Sequence, residues 1–189
     1  MEDEERHRAL RRFQTLYDAH HGAVVAYARR RTTDPTDAQD VVADTFAIAW
    51  RRLSEVPEGE AALPWLYGVA RRVLANQRRG NQRRADLSAR LRSQAPAGAD
   101  LESHVVAGDD RRIVIAALSR LRPADREILR LAAWEELPHR DIAAVVGCSE
   151  SSVAVRLHRA RTRLGREIRK EEGRVGHETS GRRAEGHDT

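Results

Sequence analysis

The stretch PHRDIAAVVGCSESSVAVRLHRARTRLGREI, residues 138–168, decides the fold of this chain. Its apolar residues recur at helical spacing over 139–146 and again from Glu150, which predicts a short helix followed by a longer one that ends near Arg169. Gly147 can adopt the left-handed conformation that ends the first helix, and Ser149 can accept a hydrogen bond from the first turn of the second. Two helices joined by such a tight turn are typical of a helix-turn-helix.

The second helix of this motif has an apolar stripe and a neighbouring polar stripe. The apolar stripe consists of Val153, Leu157, Ala160, Leu164 and Ile168, and the polar stripe of Ser152, Arg156, Arg159, Arg163 and Arg166. Guanidinium groups bridge phosphates and can bind the two acceptors on a guanine edge. Behind a capped short helix, this pattern predicts a helix that contacts a DNA major groove. A solvated amphipathic helix is the alternative.

Composition favours a polyanionic partner. The 189 residues include 34 Lys and Arg against 29 Asp and Glu, which gives a net charge of +5. The single cysteine, Cys148, leaves no disulfide within the chain and no cysteine-based zinc cluster, so we expect a reducing cytoplasm. The charged start MEDEERHR is not a secretory signal, and no apolar run approaches the roughly 18 residues of a membrane span. We therefore expect no membrane insertion, and no metal or cofactor.

Helical periodicity, without any alternating β pattern, predicts an all-α fold of two small helical bundles joined by a flexible linker. Thr36 and Gln39 form a predicted capping box at the start of the second helix. The stretch SQAPAGAD, residues 93–100, has the composition of a linker. We predict an N-terminal domain over 1–84, a linker over 85–103, a C-terminal domain with the helix-turn-helix over 104–170, and a disordered tail over 171–189.

Two charged clusters in the N-terminal domain are candidate binding surfaces. Asp37, Asp40 and Asp44 recur on one helix face, which is either a solvated surface or a docking site for a basic partner. The end of the following helix is basic and carries side-chain amides, which suits a nucleic acid contact, although a solvated charge run is the alternative. Its cluster comprises Arg71, Arg72, Asn76, Gln77, Arg78, Arg79, Arg83 and Arg84.

Three segments precede the helix-turn-helix in a specific order: DAQDVVADTFAIAWRRL (37–53), PWLYGVARRVLANQRR (64–79) and LSRLRPADREILRL (118–131). Together with that motif, they resemble the extracytoplasmic-function subfamily of bacterial sigma-70 factors, the promoter-recognition subunits of RNA polymerase. The resemblance covers about residues 13–84 and 113–168. It implies a factor without enzymatic activity that binds core RNA polymerase and directs promoter-specific initiation, and that is often held inactive by an anti-sigma protein.

The resemblance also implies roles for individual residues. Contact with the clamp helices of the polymerase's largest subunit falls to Asp37, Asp40, Asp44, Phe46 and Trp50, and the polymerase flap is a further implied contact. Recognition and melting of the minus-ten element fall to the loop 55–62 and the following helix, through Glu58, Trp65, Arg71, Arg72, Asn76, Arg78 and Arg79. Reading of the minus-thirty-five element falls to Ser151, Ser152, Ala154, Val155, Arg156, His158, Arg159 and Arg163.

Two other functions fit parts of the sequence. A homodimeric helix-turn-helix repressor or activator would use the same DNA-reading helix without polymerase, but it leaves segments 37–53 and 64–79 unexplained. A metal-dependent nuclease would use His20 and His21 with the three aspartates. Carboxylates along one regular helix face are spaced for docking rather than for convergence on one metal ion, which disfavours the nuclease.

Overall fold

The computed structural model describes residues 2–91 and 109–184, and every regular element within them is helical. The elements are α1 Glu2–Arg29, α2 Pro35–Arg51, α3 Ala62–Leu91, α4 Asp109–Ser119, α5 Pro123–Ala133, α6 His139–Val146 and α7 Glu150–Ala184, with short 3₁₀ turns at Leu53–Glu55 and Gly59–Ala61. The helices form two compact units with the main boundary between Ser103 and His104. The predicted all-α fold is confirmed.

In the N-terminal unit, α2 and α3 pack against each other and against α1. Each helix contributes apolar residues at helical spacing, so the three buried stripes meet in one core. Its fully buried or nearly buried members include Val24, Tyr27, Val41, Phe46, Leu66, Val69 and Val73. This core fixes which faces of α2 and α3 remain exposed.

Helix α2 is capped differently from the prediction. Its N-cap is Asp34, whose side chain accepts a hydrogen bond from the Thr36 N–H at 2.7 Å. Asp34 precedes Pro35, and a residue before proline is driven to extended backbone, here φ −90° and ψ 128°. That conformation directs the carboxylate to the first turn, so the predicted capping box of Thr36 with Gln39 is wrong.

Helix α3 is longer than predicted and runs into the segment assigned to the linker. The sequence of residues 80–91, GNQRRADLSARL, contains no proline and is rich in residues with high helix propensity. Gly80 lies inside the helix without ending it. The predicted linker start at residue 85 is therefore wrong as far as Leu91, while residues 92–103 lie outside the described residues.

In the C-terminal unit, α4 and α5 pack against α7, and α6 precedes α7 as the first helix of the helix-turn-helix. The predicted apolar stripe of α7 supplies three of its core residues. Buried members of this core include Leu118, Leu121, Ile128, Leu131, Ile142, Val153, Leu157 and Ala160.

Helix α7 continues to Ala184, beyond the predicted helix end near Arg169. Glu171 is buried and forms ion pairs with Arg120, just after α4, and with Arg174 one turn onward. These ion pairs supply a reason for the chain to stay helical where composition alone predicted a disordered tail. That prediction is wrong over 171–184, and residues 185–189 lie outside the described residues.

Candidate nucleic-acid interface

The turn between α6 and α7 has both predicted caps. Gly147 has φ 74°, and the Cys148 N–H donates to the Ala143 carbonyl at 3.1 Å, which is the Schellman pattern that ends a helix. The Ser152 N–H donates to Ser149 Oγ at 3.3 Å, so Ser149 caps α7 as predicted. This local geometry fixes where α7 begins and therefore which of its side chains lie at its exposed tip.

The first three turns of α7 present a shallow depression of about 310 Å³. Its lining residues are Ser151, Ser152, Val155, Arg156 and Arg159, all predicted groove-facing residues. Val153 and Leu157 are buried in the core on the opposite side of the helix. Core packing therefore determines which face of α7 carries the depression and is exposed to solvent. Ala154 and His158, also predicted to face the groove, are exposed beside it.

Arg163, the last predicted groove-facing residue, is engaged within the unit instead. Its guanidinium forms an ion pair with Asp125 of α5, a carboxylate that also accepts from Arg122 Nε at 3.1 Å. Asp125 is only 6% exposed, so its charge requires these cationic partners. Arg163 therefore joins α7 to α5 while its side chain stays 41% exposed, and its contact with the groove remains a prediction. Sequence spacing alone offered no signal for a partner 38 residues away.

The basic surface of α3 is partly organised by internal bonds. Arg72, Asn76, Arg78 and Arg79 are exposed, and Arg71 is half-buried. Arg78 Nη2 donates to the carbonyl of Arg31 at 3.0 Å, and Arg79 donates to Asn76 Oδ1. Several cations therefore stay on one helix surface, and the exposed Arg78 is bonded to the chain just after α1.

Arg31, which no sequence pattern indicated, is a buried residue that contacts this surface through its carbonyl. It is 7% exposed, and its guanidinium lies 3.5 Å from the ring centroid of Tyr27, whose carbonyl also accepts from Arg31 Nη1. Tyr27 stacks on Tyr67 with ring centroids 4.7 Å apart. The face of the Tyr27 ring attracts the buried cation of the residue whose carbonyl accepts from Arg78.

The loop between α2 and α3 is tied to α1 and encloses a groove of about 530 Å³. Arg12 Nη2 donates to the Val56 carbonyl at 2.7 Å across 44 residues, a contact that the sequence did not predict. The groove is lined by Arg12, Thr15, Leu16, Ala19, His20, Leu53, Val56, Pro57, Glu58, Gly59 and Ala62. Its lining is mostly apolar, with Arg12, His20 and Glu58 as its charged or titratable members.

The pKa values of His20 and Glu55, at this groove and loop, are both shifted. Burial lowers the pKa of His20 below its usual value of 6.5, because the uncharged imidazole is favoured where water is excluded. A hydrogen bond and ion pair from Arg52 lower the pKa of Glu55. The loop therefore carries a fixed negative charge at Glu55, and the groove beside it carries an uncharged imidazole at neutral pH.

The α2 residues predicted to dock on the polymerase differ in their exposure to solvent. Asp40 and Asp44 are exposed and Asp37 is half-buried, so the acidic row faces outward. Trp50 is 41% exposed, whereas Phe46 is only 4% exposed. Phe46 is consequently a core residue of α2 rather than a surface contact, which corrects its place among the predicted partner-binding residues.

Phe46 belongs to an aromatic cluster that also holds Trp50. Phe13 lies edge-on to Trp50 at 5.2 Å between ring centroids and edge-on to Phe46 at 6.4 Å. Tyr17 contacts Phe46 at 4.7 Å and stacks on His21 at the same centroid distance. The cluster holds the partly exposed Trp50 indole at the C-terminal end of α2.

Within 3–84 and 112–174, whose side chains are described, no group of three or more His, Cys, Asp or Glu residues comes together as a metal site. His20 and His21 belong to the groove and the aromatic cluster, respectively. Across the described helices, none combines the length and the apolar character needed to cross a bilayer.

Comparisons with known proteins agree with this architecture. The family model for sigma-70 region 2 matches residues 16–84, and the model for sigma-70 region 4 matches residues 111–164. The N-terminal match spans the acidic face and the basic helix, and the C-terminal match spans the helix-turn-helix. Together they define a class of promoter-recognition proteins.

Full-length relatives refine that class. The extracytoplasmic-function sigma factor SigL of Mycobacterium tuberculosis is 31% identical over 150 residues, covering 78% of this chain and 83% of SigL. The sigma factor NccH of Alcaligenes xylosoxydans xylosoxydans is 32% identical over 152 residues, covering 76% and 80%. The chain belongs to the sigma-70 family, among its extracytoplasmic-function RNA polymerase sigma factors. The predicted resemblance is confirmed.

A solved structure shares the fold. The sigma factor RpoE of Bartonella quintana, crystallised with the anti-sigma factor NepR, superimposes with a TM-score of 0.63 at 24% identity. The match covers 83% of this chain and 96% of the Bartonella chain.

Proposed function

We propose that this protein binds core RNA polymerase and directs promoter-specific transcription initiation, with its C-terminal unit on the minus-thirty-five element and its N-terminal unit on the melted minus-ten element. The observation that carries the proposal is the exposed tip of α7, where Arg156 and Arg159 line a shallow depression behind a capped turn. No bond is made or broken by this protein. It lowers the free energy of locating and opening a promoter.

Reading of duplex DNA rests on the arginines at this tip. Among the described residues, neither Arg156 nor Arg159 takes part in an ion pair or side-chain hydrogen bond, in contrast to Arg163. An unneutralised guanidinium can bind the O6 and N7 of guanine with two hydrogen bonds. Ser151 and Ser152 are small and polar, which lets the helix tip approach base edges or phosphates.

Docking on polymerase rests on the outer face of α2. Asp40 and Asp44 supply negative charge and Trp50 supplies an apolar anchor beside them. Buried anchors surrounded by complementary charge are the usual energetic centre of a protein interface. A basic helical partner with an apolar stripe, such as the clamp helices of the largest subunit, fits this combination. The polymerase flap is a further proposed contact.

Capture of the melted strand rests on α3 and the loop before it. Arg71, Arg72 and Arg79 offer cations along one helix, and Asn76 offers an amide between them. Trp65, half-buried at the start of α3, has an aromatic face of the kind on which unpaired bases stack. Glu58 at the groove rim adds a hydrogen-bond acceptor that favours bases with exposed amino groups.

Regulation by an anti-sigma factor is part of the proposal. The Bartonella protein that shares this fold was crystallised with such a partner. Such a partner would compete for the surfaces that polymerase uses, including the α2 face. The proposed site of action is therefore the cytoplasm, with RNA polymerase.

Run-off transcription with purified core polymerase on a promoter library tests the function. We expect promoter-specific initiation that depends on this protein. The variant Asp40→Arg/Asp44→Arg should lose polymerase binding, whereas Gln39→Arg, which alters an exposed neighbour outside the acidic row, should retain it. If core polymerase neither binds nor initiates while the protein footprints an inverted repeat, the dimeric repressor or activator replaces this proposal.

A further inference from the structure

Val155 is a large apolar residue that is exposed to solvent and does not belong to the core of its unit. It is 49% exposed, the highest value among the exposed large hydrophobic residues of the described chain. The two large apolar residues nearest to it on the same helix, Val153 and Leu157, are fully buried. An isopropyl group at the tip of a DNA-reading helix therefore remains available for a ligand contact.

The surroundings of Val155 restrict what that ligand group can be. Ser151 lies one turn before it and Arg159 one turn after it, and all three line the same shallow depression. A major groove presents hydrogen-bonding atoms on every base pair but only one exposed apolar group, the C5 methyl of thymine. The neighbouring polar side chains match the hydrogen-bonding atoms, and Val155 matches the methyl group.

We propose that Val155 determines specificity for a thymine in the minus-thirty-five element by packing on its C5 methyl group. This inference rests on the proposed function and adds the identity of one base. Residues one turn apart on a helix are separated by about 6 Å along its axis, close to two base-pair steps of about 3.4 Å. The thymine therefore lies within about two base pairs of the base that Arg159 contacts.

Deoxyuridine provides a direct test, because it lacks the C5 methyl group and leaves the Watson–Crick pairing unchanged. Holoenzyme is assembled on synthetic promoters in which each thymine of the upstream element, on either strand, is replaced singly by deoxyuridine. Loss of one buried methyl contact is worth about 0.8 kcal/mol, which corresponds to about a fourfold loss of initiation or binding. We expect this loss at one thymine with the wild-type protein.

A double-mutant cycle assigns the effect to Val155. Val155→Ala should lose about fourfold on the thymine promoter and show no further loss on the deoxyuridine promoter. Arg159→Ala should lower initiation on both promoters and retain the wild-type sensitivity to deoxyuridine. Hydrogen exchange of α7 in Val155→Ala should match the wild type, because the side chain is exposed.

Two results would overturn the inference: equal activity on every deoxyuridine promoter, or full deoxyuridine sensitivity in Val155→Ala. The last result, accompanied by weaker polymerase binding, would assign Val155 to a protein contact. Failure of the wild-type holoenzyme to initiate on the unmodified promoter would instead refute the proposed function, so the two failures are distinguishable.

Discussion

Asp125 at the start of α5 and Arg163 in the middle of α7 form an ion pair that joins the DNA-reading helix to its supporting helix. Asp125 is buried and Arg163 is partly exposed. Arg122, the residue just before α5, forms a second ion pair with Asp125. The pair distinguishes three arginines of α7: Arg163 stabilises the unit, whereas Arg156 and Arg159 remain available at the tip.

Arg163→Ala should destabilise the C-terminal unit by about 1–3 kcal/mol, because it leaves a buried carboxylate with one partner fewer. Hydrogen–deuterium exchange resolved over α5 and α7 in the full-length protein measures the change. Arg159→Ala is the matched control and should leave exchange unaltered. A stable Arg163→Ala variant that loses preference for a single base pair would contradict this assignment and restore Arg163 to the groove.

Trp50→Ala should lower the affinity for core polymerase by about tenfold or more, since an exposed aromatic residue beside complementary charge is a typical interface anchor. Competition with a reference sigma factor for core polymerase measures this affinity. Phe46→Ala should instead destabilise the N-terminal unit by about 3–5 kcal/mol, because it removes a buried ring. Unchanged affinity in a folded Trp50→Ala variant would exclude Trp50 from the interface.

Arg12→Ala should impair promoter opening while leaving polymerase binding intact. The Arg12 guanidinium fixes the Val56 carbonyl and with it the loop that borders the groove, so its loss frees the loop at a cost of about 1–3 kcal/mol. Fluorescence of 2-aminopurine in the minus-ten element measures opening. Arg11→Ala, on the exposed side of α1, is the control, and equal opening by the two variants would show that the loop does not need this bond.

The stability of the N-terminal unit should fall as the pH drops below about 6.5. Burial lowers the pKa of folded His20, so the unfolded chain takes up a proton first, and the loss levels off below the folded pKa. Thermal unfolding between pH 5 and 8 measures this slope, and His20→Gln should make it shallower. An identical slope in that variant would assign the pH dependence to other groups.

Asp34→Ala should destabilise α2 by about 1 kcal/mol, because it removes the N-cap acceptor. Thr36→Ala should cost less, since the Thr36 backbone N–H rather than its side chain makes the capping bond. Urea unfolding of both variants distinguishes the observed cap from a capping box. A larger loss in Thr36→Ala would favour the capping box.

The sequence by itself determined the helical fold and the helix-turn-helix. These depend on residues only a few positions apart: apolar spacing defines the buried stripe of α7, Gly147 permits the left-handed turn, and Ser149 lies at the right separation to cap. Chain geometry sets such relationships before any tertiary contact forms. The exposed tip with Arg156 and Arg159 followed directly from them.

Only the tertiary structure decided which of several similar side chains are available for binding. Arg163 pairs with Asp125, Arg78 bonds the Arg31 carbonyl, and Phe46 is buried while Trp50 is exposed. Each outcome depends on packing between helices that are distant in sequence, and helical periodicity carries no information about which neighbour a residue meets. The continuation of α7 past its predicted end has the same cause, since Glu171 finds Arg120 only in the folded unit.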